Sequence, residues 1–144
     1  MIEQDTIKLL RECDAGISMG ISSIDEVIGF VGAPDLAHTL RECRREHDVL
    51  GREVRDELQR FGDDGKSPNP VAKTMANMMT DIKLTLHESD RTIADVMTDG
   101  CNMGVKSLNH YLNAYKAADE RSKDITKRLI HLEEKMTADM RQFL

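Results

Sequence analysis

The chain has 144 residues and a net charge of −6, with 26 acidic against 20 basic side chains. Three Phe, two Tyr and no Trp leave a core to be built from Leu, Ile, Val, Met and Ala, which disfavours a strand-rich domain. No Lys/Arg run forms a basic stripe and no apolar stretch reaches the ~20 residues of a membrane span, so neither nucleic acid nor a membrane is expected as a partner.

Residues 3–31 form the first helical segment. Ile7, Leu10, Ile17, Ile21, Ile24, Ile28 and Val31 recur at steps of three and four, the spacing of one helix face. Asp14 falls on the same seam, where a carboxylate needs a partner or a proton. Gly32-Ala33-Pro34 ends the segment, and Asp35 is placed to cap the next. The second segment, 35–61, reads Leu36, Leu40, Cys43, His47, Leu50, Val54, Leu58, Phe61, and stops at Gly62 and Gly65. His47 is the polar residue on that seam.

A long connection, 62–89, follows. Within it Asn69-Pro70 is a helix-start signal, and Val71, Met75, Met78, Met79, Ile82 and Leu86 give a short amphipathic helix expected to cover the bundle. Ser89 or Asp90 caps the third long segment, 90–116, with Ile93, Met97, Cys101, Val105, Leu108, Leu112 and Tyr115 on its apolar face. An unbroken helix from Pro70 to Lys116 is the alternative. Asp119 caps the fourth, 119–144, with Ile125, Leu129, Leu132, Met136, Met140 and Phe143.

About 27 residues at ~1.5 Å each make helices near 40 Å long. The turns at 32–34 and 117–118 are short, so helices one and two are antiparallel, as are three and four. The central connection is long enough to travel the whole bundle, so helix three starts at the same end as helix two. One all-α domain over 1–144 is expected, an antiparallel four-helix bundle with a single long crossover that contains a short extra helix.

The stretches ECDAGISMGISSIDEVIGFV, LAHTLRECRREHDVLGREVRDEL and IADVMTDGCNMGVKSLNHYL resemble those of ferritin-like domains, most of all small bacterial members of that superfamily. The resemblance implies the ferritin-like frame, and with it a di-metal site built from a Glu on each of two helices and Glu-x-x-His on the other two. That motif is absent here. Three residues before His38, His47, His87, His110 and His131 stand Asp35, Arg44, Leu84, Ser107 and Arg128. No carboxylate lies between Asp99 and Lys116, and the residues three beyond Glu133 and Glu134 are Met136 and Thr137. No cofactor is therefore expected; the alternative is iron or manganese held by atypical ligands drawn from Asp14, Glu46, His47 and Glu133.

Glycine occupies the middle instead. Gly16 and Gly20 lie four apart on helix one, Gly100 and Gly104 on helix three. Antiparallel pairing sets Gly16 against Gly104 and Gly20 against Gly100. Each mid-helix glycine costs about 0.5–1 kcal/mol relative to alanine, so four at one level imply either close approach of the two backbones or a pocket. His47, Cys101, Met103 and Glu133 fall near the same level. Cys13, Cys43 and Cys101 are too scattered for a disulfide framework and read as buried thiols. No P-loop, nucleophile elbow or dinucleotide fingerprint occurs.

The expected role is therefore non-enzymatic binding or assembly, with homodimerisation the expected form of self-association. The alternatives are a metal-dependent oxidoreductase or iron-handling protein, and a small-ligand binder at the glycine waist. The opening MIEQDTIKLLREC has acids where a signal peptide has basic and then apolar residues, which points to the cytoplasm.

Overall fold

The computed structural model describes residues 2–63 and 89–144. The predicted connecting helix from Pro70, with Met75, Met78 and Met79, lies outside these residues. The described residues form four long helices: α1 (Ile2–Val27), α2 (Pro34–Arg60), α3 (Asp90–Ala114) and α4 (Glu120–Met140). Short 3-10 turns, Ile28–Phe30 and Arg141–Phe143, extend α1 and α4.

The ends of the helices show which sequence signals operate. Asp119 accepts the Ser122 N–H at 2.8 Å, and Ser89, in extended backbone, accepts the Thr92 N–H at 3.4 Å. Helix α3 therefore begins at Asp90. Gly62, at φ 69°, closes α2 with paired bonds from its own N–H to Gln59 O and from Asp63 N–H to Leu58 O, a left-handed C-terminal cap that glycine adopts without Cβ strain. Asp35 is not the cap of α2. Ala33 holds that position with no side-chain bond, and Pro34 takes the first helical turn. The fixed φ of proline and its missing N–H suit that site.

Three contacts set the helix directions. Asp90 accepts the backbone N–H groups of Gly32 and Ala33, one on each carboxylate oxygen at 2.8 Å. The start of α3 is thus tied to the turn between α1 and α2. At the other end Asp5 accepts the Ala117 N–H at 3.0 Å and Thr6 Oγ1 accepts the Asp119 N–H at 2.8 Å. There too, Arg11 Nε donates to Asp63 Oδ1 at 3.2 Å, which brings in the end of α2. Helices α2 and α3 therefore begin at one end and run antiparallel to α1 and α4. Asp63 and Ser89 lie at opposite ends.

One core draws on all four helices, with Leu10, Ile17, Leu40, Leu58, Ile93, Leu129 and Met140 at its centre. On α1 the buried face is Leu9, Leu10, Cys13, Ile17, Ile24 and Val27, whereas Ile7, Ile21, Ile28 and Val31 are only partly buried against it. The stripe is turned toward Leu9 and Cys13, so Asp14 is half-buried at its edge rather than inside. On α2 the predicted seam from Leu36 to Leu58 is buried throughout, His47 included. Where α1 crosses α2, a Cβ placed on Gly51 would lie 3.2 Å from Ile17 Cγ2. Glycine there permits the close approach. Among the described residues no helix is long and apolar enough to cross a membrane.

Candidate functional site

The interior polar cluster centres on His47. Its side chain is 1% exposed and comes from the middle of α2. Nδ1–H donates to the Cys43 carbonyl at 2.8 Å, one turn back on the same helix. Nε2 lies 3.1 Å from Glu133 Oε1, on α4. Burial by itself would lower the imidazole pKa, but the hydrogen bonds to the Cys43 side chain and to Glu133 outweigh it and raise the pKa to about 10. These acceptors favour the protonated imidazole, with Nδ1 and Nε2 both donating and Nε2 facing Glu133 Oε1.

Two cysteines adjoin this pair. The Cys43 thiol lies 3.4 Å from His47 Nδ1 and donates to Met136 Sδ at 3.0 Å. Burial, and then the neighbouring Glu133 carboxylate, push the Cys101 thiol well above its ordinary value. Cys13 sits apart, its thiol 3.2 Å from Thr126 Oγ1, which itself donates to Ser122 O at 2.8 Å. Burial drives the Cys13 pKa up to about 12. All three cysteines are reduced and buried.

On one side of the His47–Glu133 pair a groove of about 110 Å³ opens between α1 and α3. Gly16 and Gly20 line it from α1, Gly100, Cys101, Met103 and Gly104 from α3, and His47 and Glu133 from below. The structure thus brings the four waist glycines to one place. It differs over what the glycines are against. A Cβ on Gly20 would lie 2.9 Å from His47 Nε2, one on Gly104 would lie 3.6 Å from the Glu133 carboxylate, and one on Gly16 would meet nothing within 4 Å. The expected contact of the two glycine-bearing backbones is absent at these three positions. Side chains from α2 and α4 fill the space below Gly20 and Gly104, and Gly16 borders open space.

Of the four candidate metal ligands, only His47 and Glu133 meet. Glu46 reaches out to Lys135 Nζ at 3.5 Å, and Asp14 lies at the edge of the core on α1. Among the described residues no three His, Cys, Asp or Glu side chains converge as a metal-holding group. The alternating charges of α2 pair at the surface, Arg44 with Asp25 at 2.7 Å and Arg45 with Glu42 at 2.9 Å. Met19, Ser23, Tyr111 and Met136 also line the groove. Sequence reasoning passed over Met19 and Ser23 because they lie off the predicted seam of the first helix. A stripe wider than one seam would have included them.

Compared with protein-family models, curated proteins and solved structures, the chain matches none.

Proposed function

We propose that this chain is a ferritin-like bundle that works by binding, and that the groove between α1 and α3 takes a small apolar ligand. Gly16 carries the reading. A glycine in mid-helix weakens the helix by about 0.5–1 kcal/mol relative to alanine, yet no neighbour requires its small size. What the missing side chain preserves is the volume of the groove. The walls are mostly apolar, interrupted by Ser23, Ser107, Tyr111 and Glu12, over a His47–Glu133 floor, and small-molecule sites combine such walls with a few placed polar groups. The helix directions and the opposite placement of Asp63 and Ser89 support the ferritin-like frame. An iron or manganese enzyme is the weaker reading, since those ions draw on several carboxylates and imidazoles and only one of each meets here.

Indole is a suitable probe, with a flat apolar body and one N–H. Titrated into isotope-labelled protein, it is expected to shift the backbone amide resonances of Gly16, Gly20, Gly100 and Gly104. Gly16→Leu starts from a Cβ position with nothing within 4 Å and runs into the groove, so it should keep the fold and lose the shifts. Unmoved glycine resonances at saturating indole, or equal binding by Gly16→Leu, would overturn the proposal. Stoichiometric iron or manganese in the purified protein, lost in His47→Ala, would restore the metal reading.

A further inference from the structure

The far side of His47 presents a different chemistry. There Cys43 Sγ stands 3.4 Å from His47 Nδ1 and 3.0 Å from Met136 Sδ. Thiol, imidazole and thioether are thus gathered about one sulfur, two of them one turn apart on α2 and the third from α4. Donors that share one metal ion at bonds of ~2.0–2.3 Å lie roughly 3–4 Å apart, and Cys43 Sγ stands within that range of both other donors, while Nδ1 must give up its bond to the Cys43 carbonyl to face a common centre. The side chains are nearly wholly buried, Cys43 at 6%, His47 at 1% and Met136 at 3% exposure.

The surroundings meet the other requirements of a metal site. A histidine that ligates through one nitrogen commonly donates its other N–H to a carboxylate, which fixes its orientation. Glu133 Oε1, 3.1 Å from Nε2, is so placed. A cleft of about 200 Å³ between α2 and α4 reaches Cys43 and Met136 from the surface, and Glu42, Glu46 and Asp139 line it together with His38 and Lys135, the lysine pairing with Glu46. The Cys43 carbonyl, released by Nδ1, stays within the α2 hydrogen-bond ladder.

We propose that Cys43, His47 and Met136 form a binding site for Cu(I). Soft sulfur donors select this ion over the harder divalent metals. On binding, the Cys43 thiol and the His47 Nδ1–H each give up a proton to solvent. Copper forms bonds to Sγ, Nδ1 and Sδ and keeps its oxidation state. Thiolate and Cu(I) together are neutral, and the Glu133 carboxylate, which loses the second imidazole proton as its counter-charge, keeps the His47 Nε2–H as its hydrogen-bond donor. Cys43 is reached from the α2–α4 cleft, while His47 and Met136 also border the glycine groove; copper binding needs no ligand in that groove.

The test is an anaerobic titration of the full reduced chain with Cu(I) buffered by bicinchoninate. One Cu(I) per chain is expected to leave the chelator, with a thiolate-to-copper absorption band in the ultraviolet. Cys43→Ser should abolish that band. Met136→Leu, nearly equal in volume and safe for the fold, should weaken binding at least tenfold. Glu133→Gln should weaken it by roughly 10–100-fold, the usual effect of changing such a carboxylate. Cys13→Ser, Cys101→Ser and Gly16→Leu should bind as the natural chain does, and the last separates this site from the groove. No copper withdrawn from the chelator, or full binding by a folded Met136→Leu protein, would overturn the proposal.

Discussion

Gly20 lies directly over the imidazole of His47, so close that a Cβ on Gly20 would stand 2.9 Å from Nε2 and 3.0 Å from Cδ2. The ring cannot swing aside, because Cys43 O holds Nδ1 and Glu133 holds Nε2. Four residues earlier, Gly16 has no such neighbour. Alanine should therefore act oppositely at the two sites. Gly16→Ala should raise stability by about 0.5–1 kcal/mol through helix propensity alone. Gly20→Ala should lower it by about 1–3 kcal/mol, the usual range for overpacking a filled interior. Urea denaturation followed by circular dichroism measures both. Equal stabilisation by the two substitutions would show that His47 does not require glycine at position 20.

This contrast marks how far the sequence could be read. The four helices, the caps at Ser89 and Asp119 and the stop at Gly62 depend on neighbours within a few residues, and local pattern carries them. The interior position of His47 was also legible, as a polar residue inside the apolar spacing of α2. Glu133 was placed near its level, but the contact between the two was not legible. Glu133 is adjacent to Glu134 in sequence, and only the rotation of α4 about its axis, set by packing against α2, turns one inward at 9% exposure and the other to solvent. The same holds for Asp14. The seam through Ile7 and Ile21 differs by a small rotation from the face through Leu9 and Cys13, and that rotation moves Asp14 from the core to its edge. The pairing of Gly16 with Gly104 placed the waist at the right level. His47 and Glu133 were placed near that level too, but not directly beneath Gly20 and Gly104, where the packing of α2 and α4 puts them.

Cys13 makes stability depend on alkaline pH. Burial raises its pKa from 9.0 to about 12 in the folded protein, while the unfolded chain keeps the ordinary value. A group whose folded pKa is raised contributes stability that is complete below the unfolded pKa and is lost as pH rises through the folded one. The contribution is thus whole below about pH 9 and falls away toward pH 12. Between pH 8 and pH 11 the natural chain should lose more stability than Cys13→Ala, which has no thiol to ionise. Denaturant midpoints of the two proteins across this range give the comparison, and parallel curves would exclude the effect. In native protein at pH 8 a thiolate-directed reagent should leave Cys13 unmodified, since reactivity follows the thiolate.

Glu57 presents an asymmetry of a different kind. Its carboxylate is 5% exposed, with Arg121 Nε at 2.6 Å and Arg60 Nη1 at 2.9 Å, yet both arginines are more than half exposed. Removing the acid leaves two cations that water can solvate. Removing the arginines leaves a buried carboxylate with nothing to neutralise it, the costly way to break such a pair. Glu57→Leu should therefore change stability by less than about 1 kcal/mol, its volume filled and no buried charge left over. The double substitution Arg60→Ala and Arg121→Ala should cost about 2–4 kcal/mol at pH 7, somewhat less than the ~3–5 kcal/mol of stranding one partner of a fully buried pair, because the arginines are exposed. Adding Glu57→Leu to that double variant should restore most of the loss. Chemical denaturation of the three proteins tests this directly. A triple variant no more stable than the double one would show that the arginines act through their own packing on α2 and α4 rather than by neutralising Glu57.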